Sequence, residues 1–313
     1  MIKCKKVIKV IANILKKGDT IGIIAPSSPI IKEKIDDINK SIYLLEKSGF
    51  KIKSSKNFLN NEWGYSNTPL QKAEDINNMF ENSEIKAILC ATGGANSNSI
   101  FEYINYEIIR ENPKIICGFS DSTSIINILH EKTGLVTFHG PTLKSLTSWE
   151  TEYSYIELIK RFVENSLELG HGDTYKTIIP GVAEGELVGG NLSLISKLIC
   201  GKYNINLEGK ILFIEELGVE SPPEVVSSNL YYMKQNDVFK KISGIWVGNY
   251  EHESKVELER ILLDTLGNEY NMPIIKSNNF GHTDRKTVIP IGTKARINTN
   301  SQNKIELIEK CLK

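Results

Sequence analysis

From Thr20 to Phe138 the chain alternates short apolar runs with segments whose apolar residues recur three or four positions apart. That alternation reads as strand, helix, strand, helix, and it leaves few folds open: parallel strands need crossover helices, so the pattern points to a parallel α/β sheet. Thr20–Ala25, Phe50–Ser54, Ile85–Ala91, Ile115–Cys117 and Gly134–Phe138 are the expected strands. Ile31, Ile35, Ile38, Ile42 and Leu45 mark one helix, closed by Gly49. Ala73, Ile76, Met79 and Phe80 mark a second, opened by Pro69. Further helices are expected over about 98–110, from Ile125 onward, and over much of 151–169.

The second half changes character. Gly185–Gly190 is glycine-rich and leads into a helix starting near Asn191. Strands are expected at Ile211–Ile214, Ile245–Val247, Thr293–Ile297 and Lys304–Ile308, with helices from Ser221 to about Met233 and over Val256–Leu266. The division expected is an extension over 1–17, a first domain over 18–168, a linker over 169–184 and a second domain over 185–313.

Lysine plus arginine and aspartate plus glutamate both number 38, so no electrostatic case exists for a nucleic acid polymer. No apolar run is long enough to span a bilayer. Residues 1–17 mix lysines with Val7, Ile8, Ile11, Ile14 and Leu15, which suits either a basic amphipathic helix on a membrane surface or a segment packed on its own domain; neither a signal peptide nor a stable membrane anchor is expected. Five scattered cysteines, without a CxxC pair, fit reduced thiols and a cytoplasmic protein. The five histidines lack metal-ligand spacing, and neither GxGxxG nor GxxxxGK[ST] occurs; no metal and no cofactor are expected.

Chemistry concentrates where strands end. Gly118-Phe-Ser-Asp121 follows an apolar strand and precedes a helix, a turn that lifts Ser120 above a sheet edge; Ser120 is then either a nucleophile or a helix cap. Thr92-Gly-Gly-Ala-Asn-Ser-Asn98 also follows a strand, and its paired glycines can expose N–H groups to an oxyanion or simply make a tight turn. Glu215 stands at a strand end and either orients a base or caps a turn; its neighbour Glu216 faces the opposite side, so only one of the two can reach a given histidine. His282, flanked by Gly281 in a polar loop, is well placed for a base, and His139, before Gly-Pro, for lining a cleft. The chain order Ser120, Glu215, His282 is one that nucleophile, acid and base adopt in other hydrolases.

These segments, taken together, resemble the LD-carboxypeptidase family of serine peptidases. The pieces are Gly18–Ser28, Gly93-Gly94, Gly118–Asp121, Gly134 with Phe138–Pro141, Gly189-Gly-Asn191, Leu212–Glu215 and Gly281-His282. The resemblance implies an N-terminal parallel-sheet α/β domain with a smaller C-terminal α/β domain, the site between them and a homodimer. It implies a Ser120, Glu215, His282 triad and an oxyanion hole from the Gly94 and Asp121 N–H groups.

Two branches of the family matter. One trims a terminal D-alanine from murein tetrapeptides and typically carries Arg-Gly-Gly-Tyr-Gly at the glycine loop. The other resembles the immunity peptidases for microcin C, which cleave peptidyl- or aminoacyl-nucleotide compounds. Gly93–Asn98, Lys132–Phe138 and Pro290–Gly292 look like the second branch. A small peptide or peptidyl-nucleotide is thus the expected substrate, with Gly93, Asn96, Asn98 and Asn191 expected to bind it. The stretch Glu220–Ser228 and Asp284-Arg-Lys depart from that branch. Trp63 or Trp149 would stack on a base, or pack on the protein; Arg285 is the cation on offer for a murein carboxylate. A murein tetrapeptide carboxypeptidase is the alternative. A catalytically idle peptide- or nucleotide-binding protein would keep the cleft without needing the triad.

Overall fold

The computed structural model describes residues 8–147, 152–172 and 174–313. The alternating segments form β1 (Thr20–Ile24), α1 (Lys32–Lys47), β2 (Lys51–Ser54), α2 (Pro69–Glu81), β3 (Ile85–Cys90), α3 (Tyr106–Glu111), β4 (Ile115–Gly118), α4 (Thr123–Thr133) and β5 (Thr137–His139). Two short helices follow, α5 (Leu143–Leu146) and α6 (Tyr153–Phe162). Then come β6 (Lys176–Ile179), β7 (Val182–Asn191), α7 (Leu192–Cys200), β8 (Ile211–Glu215), α8 (Pro223–Gln235), α9 (Val238–Lys241), β9 (Gly244–Val247), α10 (Leu258–Leu266), β10 (Ile274–Lys276), β11 (Ile289–Ile291), β12 (Lys294–Asn298) and β13 (Ile305–Leu307).

The chain is built as two α/β domains. Among the described residues the first sheet runs β11-β5-β4-β3-β1-β2, parallel throughout except for β11. Strands buried on both faces explain its apolar runs: β4 is fully buried, and so are four of the five residues of β1. Chain order reverses between β1 and β3, which opens a crevice at their carboxyl ends, the place where such sheets take ligands. The second sheet runs β13-β12-β7-β8-β9-β10-β6, with β7 to β10 parallel and antiparallel strands outside them.

Three expectations need correction. The segment 169–184 is not a bare linker: β6 pairs antiparallel with β10, and β7 begins at Val182, ahead of the boundary at 185. β-branched Thr177, Ile178 and Ile179 suit such an edge strand. The glycine-rich run, to which the sequence assigns no element, is the end of strand β7, where missing side chains let neighbouring backbone close in. The helix expected over 98–110 is two pieces, a 3₁₀ turn at Ser97–Ile100 and α3, because Asn105 caps the second with its side chain on Glu107 and Ile108 N–H. Finally, β11 lies beyond residue 185 yet joins the first sheet, covering the edge of β5.

The N-terminal segment, where described, packs on its own domain: Val10 bridges to Leu135, and Ala12 and Leu15 are buried. Residues 1–7 and Trp149 lie outside the described residues. Among the described residues no helix is long and apolar enough to cross a membrane.

Candidate active site

Ser120 sits just past the end of β4, at φ +57°. That left-handed backbone costs a residue with a side chain about 1–3 kcal/mol and persists only where surrounding structure enforces it. Here β4 ends and a 3₁₀ turn leads directly into α4, so the strained residue is a sharp elbow that exposes its hydroxyl. The Ser120 Oγ lies 3.1 Å from His282 Nε2. His282 Nδ1 lies 2.7 Å from Glu215 Oε2, which also accepts the His282 backbone N–H at 3.1 Å. With Nδ1 donating to the carboxylate, Nε2 is left as the acceptor facing the serine.

The supporting contacts are local. Glu215 ends β8 and is fully buried. A Cβ at Gly281 would lie 2.6 Å from its carboxylate, so glycine lets the histidine loop close over it. Asn249 Nδ2 donates to the His282 carbonyl at 2.7 Å, and the Phe119 ring centre lies 5.2 Å from that of the imidazole.

Burial alone would lower the pKa of His282; the charge of Glu215, its hydrogen bond and the charge of Glu216 outweigh burial and leave the pKa raised. For Glu215 burial pushes up, but the charge and hydrogen bond of His282 prevail and hold the carboxyl below its ordinary value. Lys286 is buried beside this pair, donates to the Thr283 carbonyl, and lies 5.0 Å from the centre of the Phe119 ring. Burial lowers its pKa to about 8, against the opposing charges of Glu215 and Asp284.

The glycine loop passes beside the elbow. Gly94 has φ +133°, and a Cβ there would fall 1.8 Å from Ser28 Oγ in the loop after β1, so this position accepts only glycine. Ser97 N–H donates to Asp121 Oδ2 at 2.9 Å, and the Ser97 hydroxyl donates to the Asp121 carbonyl at 2.7 Å.

A cavity of about 720 Å³ opens on these groups. Gly94, Asn96, Asn98, Ser120, Asp121, Asn191 and His282 all line it. Gly93 is not among its lining residues; a Cβ there would meet the Ser120 Cβ at 2.9 Å, so its part is to let the loop approach the elbow. Asn191 caps α7 through the Leu194 N–H and donates to Glu216 Oε1 at 2.6 Å. Glu216 further accepts from the Ser193 and Leu217 N–H groups, each at 2.9 Å, and so braces the cavity wall. The strand alternation that turns Glu215 inward to His282 turns Glu216 to that wall.

Other expectations fare differently. His139 does not line the cleft: it is 1% exposed, its ring packed edge-on to Phe119, Phe213 and Phe280. Burial drives its pKa down to about 4, so it stays neutral. Arg285 lies over the Tyr153 ring at 4.7 Å and is absent from the cavity lining, as is half-exposed Trp63, which pairs with Tyr65. Cations that do line the cavity are Lys197 and Lys202, with Glu220 as a further anion; periodicity alone marks these only as polar helix and loop positions. Among the described residues no group of His, Cys, Asp and Glu is arranged to hold a metal ion.

A family model described as the LD-carboxypeptidase N-terminal domain matches residues 21–140, and one described as the LD-carboxypeptidase C-terminal domain matches residues 184–297. The chain is 34% identical over 308 residues to the "Probable murein peptide carboxypeptidase" of Bacillus subtilis (strain 168), covering 91% of this chain and 90% of that protein. It is 28% identical over 323 residues to the microcin C7 self-immunity protein MccF of Escherichia coli, covering 92% and 93%. The solved structure of MccF in complex with aspartyl sulfamoyl adenosine superposes with a TM-score of 0.84 at 26% identity, covering 97% of this chain and 100% of that one.

Proposed function

The chain belongs to the LD-carboxypeptidase family of serine peptidases, and from that premise we propose that it hydrolyses an amide bond in peptidyl- or aminoacyl-nucleotide compounds through Ser120, Glu215 and His282. The observation that carries the reading is the unbroken line from Glu215 through His282 to Ser120, at 2.7 and 3.1 Å, opening on a cavity of about 720 Å³. That volume suits a ligand the size of an aminoacyl-nucleotide.

His282 Nε2 takes the Ser120 proton as Oγ attacks the carbonyl carbon, while Glu215 holds the imidazole by Nδ1–H. The N–H groups of Gly94 and Asp121 receive the charge on the carbonyl oxygen. The intermediate collapses as His282 gives its proton to the departing nitrogen, and water then releases the acyl group by the same route in reverse. Asn98 offers a neutral donor and acceptor to the substrate, Asn96 and Asn191 offer the amide hydrogens that their bonds to Lys72 and Glu216 leave over, and Lys197 and Lys202 offer charge to its anionic part. The likeness to MccF, solved with an aminoacyl sulfamoyl nucleoside, supports this substrate class.

The reading extends to a cytoplasmic homodimer without cofactor, on the family resemblance; unpaired Cys90, Cys117, Cys200 and Cys311 fit a reducing compartment. Cleavage of a murein tetrapeptide is the second reading, favoured by the 34% identical relative and by the cations on the cavity wall. Purified enzyme given an aminoacyl-nucleotide analogue and a muramyl tetrapeptide side by side separates the two. The nucleotide compound is expected to show the higher kcat/KM; a preference for the tetrapeptide beyond about tenfold, ~1.4 kcal/mol in transition-state binding, transfers the enzyme to the murein branch.

A further inference from the structure

A lysine on the buried face of α2, one turn before Ile76, lies beneath the glycine loop. Lys72 is in the first turn of α2, whose start is fixed by a capping box between Thr68 and Gln71. It is 1% exposed. Three costs oppose an ammonium there: burial of charge, the positive end of the helix dipole, and the lost freedom of a long side chain. Burial lowers its pKa to about 8, while the Asp121 carboxylate acts in the opposite sense.

What offsets these costs is the loop. The Lys72 ammonium donates to Asn96 Oδ1. Asn96 has φ +63°, a left-handed turn that tips the chain from Gly94 toward Ser97. The next residue, Ser97, is tied to Asp121 by two hydrogen bonds, at 2.9 and 2.7 Å. Asp121 directly follows Ser120. The loop is thus held from α2 by Lys72 and from the elbow by Asp121, with opposite charges on its two sides.

We propose that Lys72 is a positioning residue for acyl transfer: through Asn96 it fixes the turn that carries the Gly94 N–H, and so sets the geometry that receives the oxyanion. The proposal rests on the Ser120 triad and the Gly94 donor, and is independent of which substrate class the enzyme takes. It also recasts Asn96, whose side-chain oxygen is committed to the loop rather than to substrate.

The test compares wild type, Lys72→Met, Asn96→Gly and the double variant. Methionine keeps the length and packing of the lysine stem without the donor, and glycine accepts the left-handed turn without the anchor. A fluorophosphonate probe reads the serine and oxyanion hole without reading substrate specificity. Lys72→Met is expected to slow phosphonylation of Ser120 tenfold or more, and to lower kcat on the preferred substrate by a similar factor with KM within about twofold. Asn96→Gly is expected to lose about as much, and the double variant no more than either single, because both break one contact. Wild-type labelling rates in Lys72→Met, or losses that multiply in the double variant, overturn the proposal. Should Lys72→Met fail to fold, Asn96→Gly decides alone: an unaltered labelling rate overturns it, and a tenfold loss supports it. A wild-type chain that does not label at Ser120 overturns the triad reading and this proposal with it, whereas normal labelling of all four proteins sinks this proposal only.

Discussion

His282 is held in two opposed ways, by burial that disfavours its charge and by Glu215 that favours it, and the net effect is a raised pKa. A base with a raised pKa stays protonated to higher pH, so kcat/KM climbs as pH rises through that value, from above the ordinary imidazole value of 6.5. Glu215→Gln removes the charge that raises it and leaves burial in place, so the acid limb of the pH profile moves to lower pH. The same substitution frees the wrong tautomer and is expected to cost about 10³- to 10⁴-fold in kcat. Glu216→Gln loosens Asn191 and Ser193 instead and costs less; a larger loss there, or an acid limb that does not move in Glu215→Gln, contradicts the assignment. Strand ends and glycines mark Ser120, Glu215 and His282 as candidates in the sequence, but local pattern leaves caps as alternatives, and only the family resemblance joins the three as a triad. The role of Lys72 is not readable there: its spacing from Ile76 and Met79 places it on the buried face of α2, but its partner Asn96 is 24 residues away. His139 misleads for a related reason: a strand end before Gly-Pro looks like a cleft wall, and only the aromatic shell around it reveals burial.

Strand β7 ends in glycines that strand periodicity does not explain. They are needed because neighbouring chain runs against them. Gly189 has φ +144°, and a Cβ there would lie 1.8 Å from the Phe213 carbonyl oxygen of β8. Gly189→Ala therefore combines backbone strain with overpacking and is expected to lower stability by about 3 kcal/mol, read from the urea midpoint at unchanged m-value. A loss below about 0.5 kcal/mol would show that β7 and β8 are not packed as described. The element matters to function because β7 delivers Asn191 and β8 delivers Glu215, paired residue to residue. Strong apolar runs such as β3 and β4 were legible because their burial is written in consecutive residues. Short edge strands such as β6 carry no such run, and their pairing depends on a partner distant in sequence.

At the scale of the molecule, the site exists only where the two sheets meet. Ser120 follows β4 of the first sheet, while Glu215 ends β8 of the second and His282 follows β10. The halves are joined across α4: Asn127 Nδ2 donates to the Gly189 carbonyl at 2.9 Å, and Asn191 N–H donates to Thr123 Oγ1 at 3.1 Å. The chain also passes back once, sending β11 to close the first sheet. Two α/β units are foreseeable from the pattern of elements, but that return is not, because a three-residue strand containing Pro290 carries almost no periodic signal. Ser120 is thus the proposed nucleophile of an acyl transfer assembled from both halves. Intact-protein mass spectrometry after mixing with a slowly released acyl substrate tests it most directly. Wild type is expected to gain the mass of the acyl group, mapped to Ser120, and Ser120→Ala to gain none; an adduct undiminished in Ser120→Ala would contradict the claim.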